Sequence, residues 1–200
     1  MSCCLILQTR ENVFVGADTA MSVIVENKFV RQNNDGKKLF EVGKDIVYCS
    51  GDMGYVPAII ENLKIEHGHV DVEDISRYLK KIELRKCPIL DSPSIGVIIC
   101  RVINGVSYVY VLNAINNFDI ITHTLNQSGI QIWAAGIYNK KCVKIATNEV
   151  KKLHGESINT YINTYKKMAC QEIGGNLNVY YINSNGYEKI VDNYDLGLSH

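Results

Sequence analysis

Three residues near the beginning of the chain have types and spacing with a chemical use. Ser2 follows the initiating methionine, Asp18 stands at the end of a β-rich run, and Lys38 opens another such run after Gly36. A serine hydroxyl is a weak nucleophile at neutral pH, but a free α-amine with a reference pKa of about 7.7 can take its proton. A chain that begins at serine therefore carries nucleophile and base on one residue. A lysine ammonium held against Asp18 would favour deprotonated oxygen and amine beside it. The same residues have plainer uses: Ser2 in ordinary structure, Asp18 as a turn cap, and Lys38 in a surface pair worth under about 1 kcal/mol.

To bring these residues together the chain must fold back early. Residues 4–8 are apolar and β-rich, Glu11 and Asn12 can turn them, and residues 13–17 continue as a second strand. The second strand of such a hairpin ends near the start of the first, which puts Asp18 beside Ser2. Residues 27–31 read as a strand, 33–36 as its turn and 38–42 as its partner. Residues 46–50 form a further short apolar strand. After Gly51 the period changes: Val56, Ile59, Ile60 and Leu63, then Val72, Ile75, Leu79 and Ile82, predict two helices, the second capped by Asp71.

Strands are predicted over 94–102 and 106–112, joined at Asn104-Gly105, and over 120–124 and 131–134. Helical stripes follow over 140–153 and 157–170. Gly174-Gly175 ends them, and 177–182 with 187–190 make a closing hairpin. The order is strands, two helices, strands, two helices, strands. It predicts an α+β protein whose helix pairs cover two stacked sheets, a four-layer α-β-β-α sandwich. No Gly/Pro/Ser-rich linker divides the chain, so residues 1–200 are one domain, with 195–200 a frayed tail.

Composition narrows the function classes. The 21 basic and 21 acidic residues cancel, leaving no net field to draw in a nucleic-acid backbone or an anionic membrane. Seven cysteines form neither a CxxC pair nor a metal-ligand spacing, and the five histidines make no zinc motif. The opening segment has no basic region or cleavage site, and no apolar stretch reaches the roughly 18 residues of a membrane span. The expectation is a cytoplasmic protein with reduced thiols, no cofactor and no metal.

The run from Cys4 through Gln8-Thr9-Arg10 to Gly16-Ala17-Asp18 resembles the opening hairpin of the N-terminal-nucleophile (Ntn) hydrolases. It is closest to proteasome β-type subunits and the bacterial HslV-like peptidase subunits. The separation from Ser2 to Asp18 is 16 residues, as in that family. Asp35-Gly36-Lys37-Lys38-Leu39-Phe40 is similar to the stretch carrying the family's catalytic lysine, matched here by Lys38, and 46–54 resembles the next strand and helix start. The resemblance implies Ser2 as nucleophile after removal of Met1, Asp18 orienting Lys38, Lys38 tuning Ser2, and the Gly51 N–H stabilising the oxyanion. It also implies an apolar substrate pocket with Cys49 and Met53, and Ser22 and Gly51 along an extended substrate. The implied partners are a peptide or unfolded protein, a homo-oligomeric ring and an ATPase.

Two positions depart from the family. Where it carries a serine supporting the terminal amine, alignment on Gly136 puts Ile137, which cannot hydrogen-bond. Where it carries an aspartate before the paired glycines, this chain has Cys170, with Glu172 nearby as a substitute; Asn139, which matches a second supporting serine-like position, and Tyr138 are further replacements. Besides a serine peptidase, two readings stay open: a non-catalytic proteasome-like structural subunit, and an Ntn amidohydrolase using Cys3, thiols being stronger nucleophiles.

Overall fold

The computed structural model describes residues 3–83, 86–87, 92–93, 95–125, 127–136, 138–155, 157–170 and 172–197. The first strands are β1 (Cys3–Gln8), β2 (Val13–Asp18), β3 (Met21–Val25), β4 (Lys28–Asn33), β5 (Leu39–Val42) and β6 (Asp45–Gly51). Then come α1 (Val56–Glu61), β7 (Ile65–Glu66), β8 (His69–Val70), α2 (Val72–Leu79), β9 (Lys86–Cys87) and β10 (Ser92–Pro93). Two long strands, β11 (Ile95–Ile103) and β12 (Val106–Asn113), precede β13 (Ile121–His123) and β14 (Gln131–Gly136). The chain finishes with α3 (Asn139–Lys152), α4 (Ser157–Met168), β15 (Asn176–Asn183) and β16 (Gly186–Asp195).

Two five-stranded antiparallel sheets dominate, in the orders β14-β1-β2-β15-β16 and β13-β12-β11-β6-β5. Between them lies an apolar layer that includes Cys4, Ile6, Val15 and Ala17 from one sheet and Tyr48, Ile98 and Cys100 from the other. The opposite face of the first sheet, with Cys3, Leu5, Leu7 and Leu177, packs on Cys142, Ala146, Tyr161 and Tyr165 of α3 and α4. Val47, Cys49, Val97 and Ile99 of the second sheet pack on Val56, Ile59, Ile75 and Leu79 of α1 and α2. Alternation along β1 thus sends odd-numbered side chains to the helices and even-numbered ones, Cys4 and Ile6, to the other sheet. Gln8, at the end of β1, donates instead to Ser107 Oγ at 3.0 Å.

The expected α-β-β-α sandwich is corrected by the amount and placement of strand. Among the described residues 46% are strand and 26% helix, and three two-stranded hairpins, β3-β4, β7-β8 and β9-β10, stand outside the two main sheets. The helices over the second sheet are short, six residues in α1 and eight in α2. The periodic stretch expected to carry the first helix through Leu63 stops at Glu61, and the chain turns into β7-β8 through His67 and Gly68, both with positive φ.

The strand over 28–33 also has a different partner from the one expected. It pairs with β3, through a turn at Glu26 and Asn27 whose φ values of 49° and 60° match the tight hairpin type whose twist suits paired strands. The segment expected to pair with it, β5, pairs instead with β6. Val23, Ile24 and Val25 are β-branched and hold β3 extended despite their exposure. At the other end, β16 runs to Asp195, and Leu196 is buried with its N–H donated to Gly175 O, so the expected tail does not begin at 195. Residues 198–200 lie outside the described residues. No helix among the described residues is long and apolar enough to cross a membrane.

Candidate active site

The N-terminal end of β1 is held from three directions. Cys3 pairs with Gly136 of β14 on one side, Cys4 with Ala17 of β2 on the other. From below, the Tyr165 hydroxyl of α4 lies 2.9 Å from Cys3 O and 2.7 Å from Gly16 O. The hairpin predicted from 4–17 therefore forms, and its return brings Asp18 to the chain start. Asp18 Oδ1 accepts the Cys3 N–H at 3.2 Å.

The second oxygen of Asp18 is the centre of the site. Oδ2 accepts Lys38 Nζ at 3.0 Å and the N–H groups of Ala20 and Gly174 at 3.2 Å each. Lys38 belongs to the segment before β5, and its carbonyl accepts the Cys49 N–H at 3.0 Å. The ion pair therefore links the two main sheets. Both side chains are shut off from solvent, Lys38 at 1% and Asp18 at 0% exposure. Burial pulls the Lys38 ammonium below its ordinary value of 10.5, the Asp18 carboxylate opposes that, and Arg31 adds to it. Lys37, the neighbouring lysine, is exposed and lies over the Phe40 ring at 5.2 Å.

The other sequence-derived site residues divide. Ser2 and Ile137 lie outside the described residues. Gly51 closes β6 opposite Ile95 with φ +100°, a conformation that L side chains rarely adopt. Met53 lines an apolar groove of about 470 Å³ together with Met21, Phe40, Val56 and Ile60, with Lys37 and Glu61 also contributing. Cys49 does not join that lining: it is 1% exposed among the residues under α1 and α2, and burial alone pushes its thiol up to about 12. Ser22 sits on β3 opposite Arg31, with its hydroxyl buried and unbonded.

Cys3 is spent on the core. Its side chain is 0% exposed, and a hydrogen bond with Cys142, followed by burial, pushes the thiol well above its ordinary 9.0. Since the thiolate is the nucleophilic form, this environment suppresses it. Cys4, in the inter-sheet layer, is raised by burial and feels Lys38 as a weak opposing charge.

Of the expected substitutes, Glu172 and Tyr138 lie near Cys170, and Asn139 bonds into the first turn of its own helix. Cys170 Sγ donates to Glu172 Oε2 at 3.1 Å, and the Glu172 charge raises the Tyr138 hydroxyl. Asn139 begins α3 and its Oδ1 accepts the Lys140 N–H at 2.6 Å.

Two contributors have no local sequence signal. The Gly174 N–H reaches Asp18 from 156 residues away, and Arg31 reaches the carbonyls of Cys170 and Ile173 from the β3-β4 hairpin. A paired glycine marks the first as a tight segment; nothing in the spacing of Arg31 marks the second. The described part of the site is a buried ion pair at the start of β1, with Asp18 bonded to the Cys3 N–H. No protein-family model matches the chain, and no curated protein matches its sequence.

Proposed function

We propose that the protein hydrolyses peptide bonds as an N-terminal-nucleophile enzyme, with Ser2 as nucleophile once Met1 is removed. The observation that carries this reading is the buried Asp18–Lys38 pair at the start of β1, with Asp18 bonded to the N–H of the residue that follows Ser2. The reading rests on this chemistry and not on the four-layer architecture, which the strand-rich fold replaces. The burial of Cys3 supports the choice of serine: its thiol is enclosed by the helices and held in the protonated form.

In this mechanism the Ser2 hydroxyl attacks the substrate carbonyl and its proton passes to the α-amine. The amine returns that proton to the leaving amine as the C–N bond breaks, leaving an ester on Ser2. Water then attacks the ester and gives a proton to the amine, which passes it to Ser2 Oγ as the acyl–oxygen bond breaks, releasing the acid and restoring the hydroxyl. Lys38, as an ammonium, lowers the proton affinity of the hydroxyl and amine, and Asp18 fixes its position. The Gly51 N–H stabilises the oxyanion. The groove with Met21, Phe40 and Met53 accepts an apolar side chain, its thioethers adapting to shape. Peptides or unfolded protein are the substrate class, and a homo-oligomeric ring served by an ATPase is the assembly that the family resemblance adds.

A second reading is a non-catalytic structural relative. It is favoured by the bonding of Asp18, whose acceptors are taken up by Cys3, Ala20, Gly174 and Lys38, a pattern that also pins backbone together. A peptide epoxyketone separates the two, because its adduct closes a ring through both a hydroxyl and an adjacent free amine. Intact-mass measurement of the protein before and after exposure should show loss of Met1 and one adduct on Ser2, absent from Ser2→Ala. Retained Met1 and no adduct would leave the structural reading standing.

A further inference from the structure

We infer that Arg31 is a positioning residue for the Asp18–Lys38 pair: its guanidinium grips the carbonyls of the loop whose Gly174 N–H completes the Asp18 site. Its catalytic consequence rests on the reading of Ser2 as nucleophile; its effect on Lys38 does not.

The geometry is a relay of hydrogen bonds. Nη2 of Arg31 donates to Cys170 O and, at 3.2 Å, to Ile173 O. Cys170 N–H also donates to Ile173 O at 2.9 Å, closing the loop on itself. The next residue, Gly174, donates its N–H to Asp18 Oδ2, while its carbonyl accepts the Ala20 N–H at 3.0 Å. Ala20 N–H in turn lies 3.2 Å from the same Asp18 oxygen. The loop and the chain after β2 therefore clasp one carboxylate oxygen, and Arg31 holds the loop from outside.

The fit is close enough that a side chain at 174 would displace the Arg31 guanidinium. A Cβ there would stand 2.7 Å from Nη2 and 3.0 Å from Nη1 of Arg31. Nη2 alone serves both carbonyls, and the planar guanidinium lying against a bare Cα fixes the directions of its two N–H groups, which a lysine ammonium on a flexible stem does not. The hairpin that carries Arg31 belongs to neither main sheet, and a lone two-stranded hairpin is marginal by itself. Thr19 Oγ1 donating to Asn34 O and Gly36 N–H donating to Thr19 O anchor its far end beside Asp18.

Charge supports the same assignment. The side chains with the largest influence on Lys38 are Asp18 from β2, Cys3 from β1 and Arg31 from β4. Of these, Arg31 is the cation, and it favours release of the Lys38 proton. Its removal raises the proton affinity of Lys38, so Lys38 titrates at higher pH.

The test compares full-length wild type, Arg31→Gln, Arg31→Lys and Gly174→Ala, each checked for folding by circular dichroism. Lys38 is titrated by NMR of carbon-13-labelled lysine, and epoxyketone adduct formation is timed across pH. Arg31→Gln should move the Lys38 titration and the alkaline fall in labelling upward, and slow labelling by roughly tenfold to a hundredfold through misplacement. Arg31→Lys should return the titration towards wild type without restoring the rate. Gly174→Ala, which keeps the charge and displaces the fork, should slow labelling. A folded Arg31→Gln with both measurements unchanged overturns the inference. Should Arg31→Gln fail to fold, an unchanged rate in both other variants overturns it as well. Absence of any adduct on wild-type Ser2 defeats the nucleophile reading instead, and the Lys38 titration then decides on Arg31.

Discussion

Replacing Lys38 by Met removes an ammonium while keeping an unbranched side chain of similar length. Lys38 and Asp18 are almost wholly excluded from water, 1% and 0% exposed, at 3.0 Å. In the variant the Asp18 carboxylate keeps the N–H bonds of Cys3, Ala20 and Gly174 but loses its counter-ion. Removing one member of a buried pair costs about 3–5 kcal/mol, because the charge left behind is uncompensated. Here three backbone donors remain, and the variant no longer bears the burial cost that depresses Lys38, so the lower end, about 3 kcal/mol, is expected. At about 2–4 °C per kcal/mol for a domain of this size, the melting temperature should fall by about 6–12 °C.

Urea unfolding followed by circular dichroism measures this, with Lys80→Met as control. Lys80 pairs with an exposed Asp119, and its loss should leave the midpoint near that of wild type. The double variant Asp18→Asn/Lys38→Met, which removes both charges, should recover part of the loss. Epoxyketone labelling of Ser2 should be strongly slowed in Lys38→Met whatever its stability. A midpoint for Lys38→Met equal to that of Lys80→Met would mean that the pair is hydrated, and the argument from a dry, charge-tuned site would fall.

Two further predictions concern the frame around the site. Tyr165→Phe removes the hydroxyl that reaches Cys3 O and Gly16 O and should cost about 1–3 kcal/mol. It should also slow labelling of Ser2, whereas Tyr161→Phe, whose hydroxyl serves Leu5, Leu7 and Phe14, should lose stability with less effect on labelling. For Cys49, burial raises the folded thiol from 9.0 to about 12, so the folded state keeps its proton after the unfolded state has lost it. That contribution is complete below pH 9 and is lost as pH rises through 12. Cys49→Ala should make the alkaline decline in stability shallower by up to about 1.4 kcal/mol per pH unit, and an unchanged slope in urea midpoints would show that the thiol is hydrated.

Local order in this protein follows from local sequence. The β-rich runs at 4–8 and 13–17 and the Asn104-Gly105 turn each form the element that their periodicity and turn chemistry predict, because strand alternation and tight turns depend on neighbours in the chain. The return of Asp18 to the start of β1 was also legible from the hairpin, whereas its pairing with Lys38, 20 residues away, was an implication of the family resemblance. What only tertiary structure decided were matters of competition between partners. The strand over 28–33 took β3, not β5, because Glu26 and Asn27 accept positive φ and β6 offers β5 a buried neighbour. Cys49 lies deep in the core under α1 and α2, while Met53, beyond the end of β6 and packed against the same cluster, reaches the groove, a difference of depth within one layer. Arg31 and Gly174 meet the site across more than 140 residues of sequence, through side-chain bonds to backbone groups that carry no residue signature. A side chain's chemistry is written in its type, but the burial and backbone donors that tune it arise only when distant segments close around it.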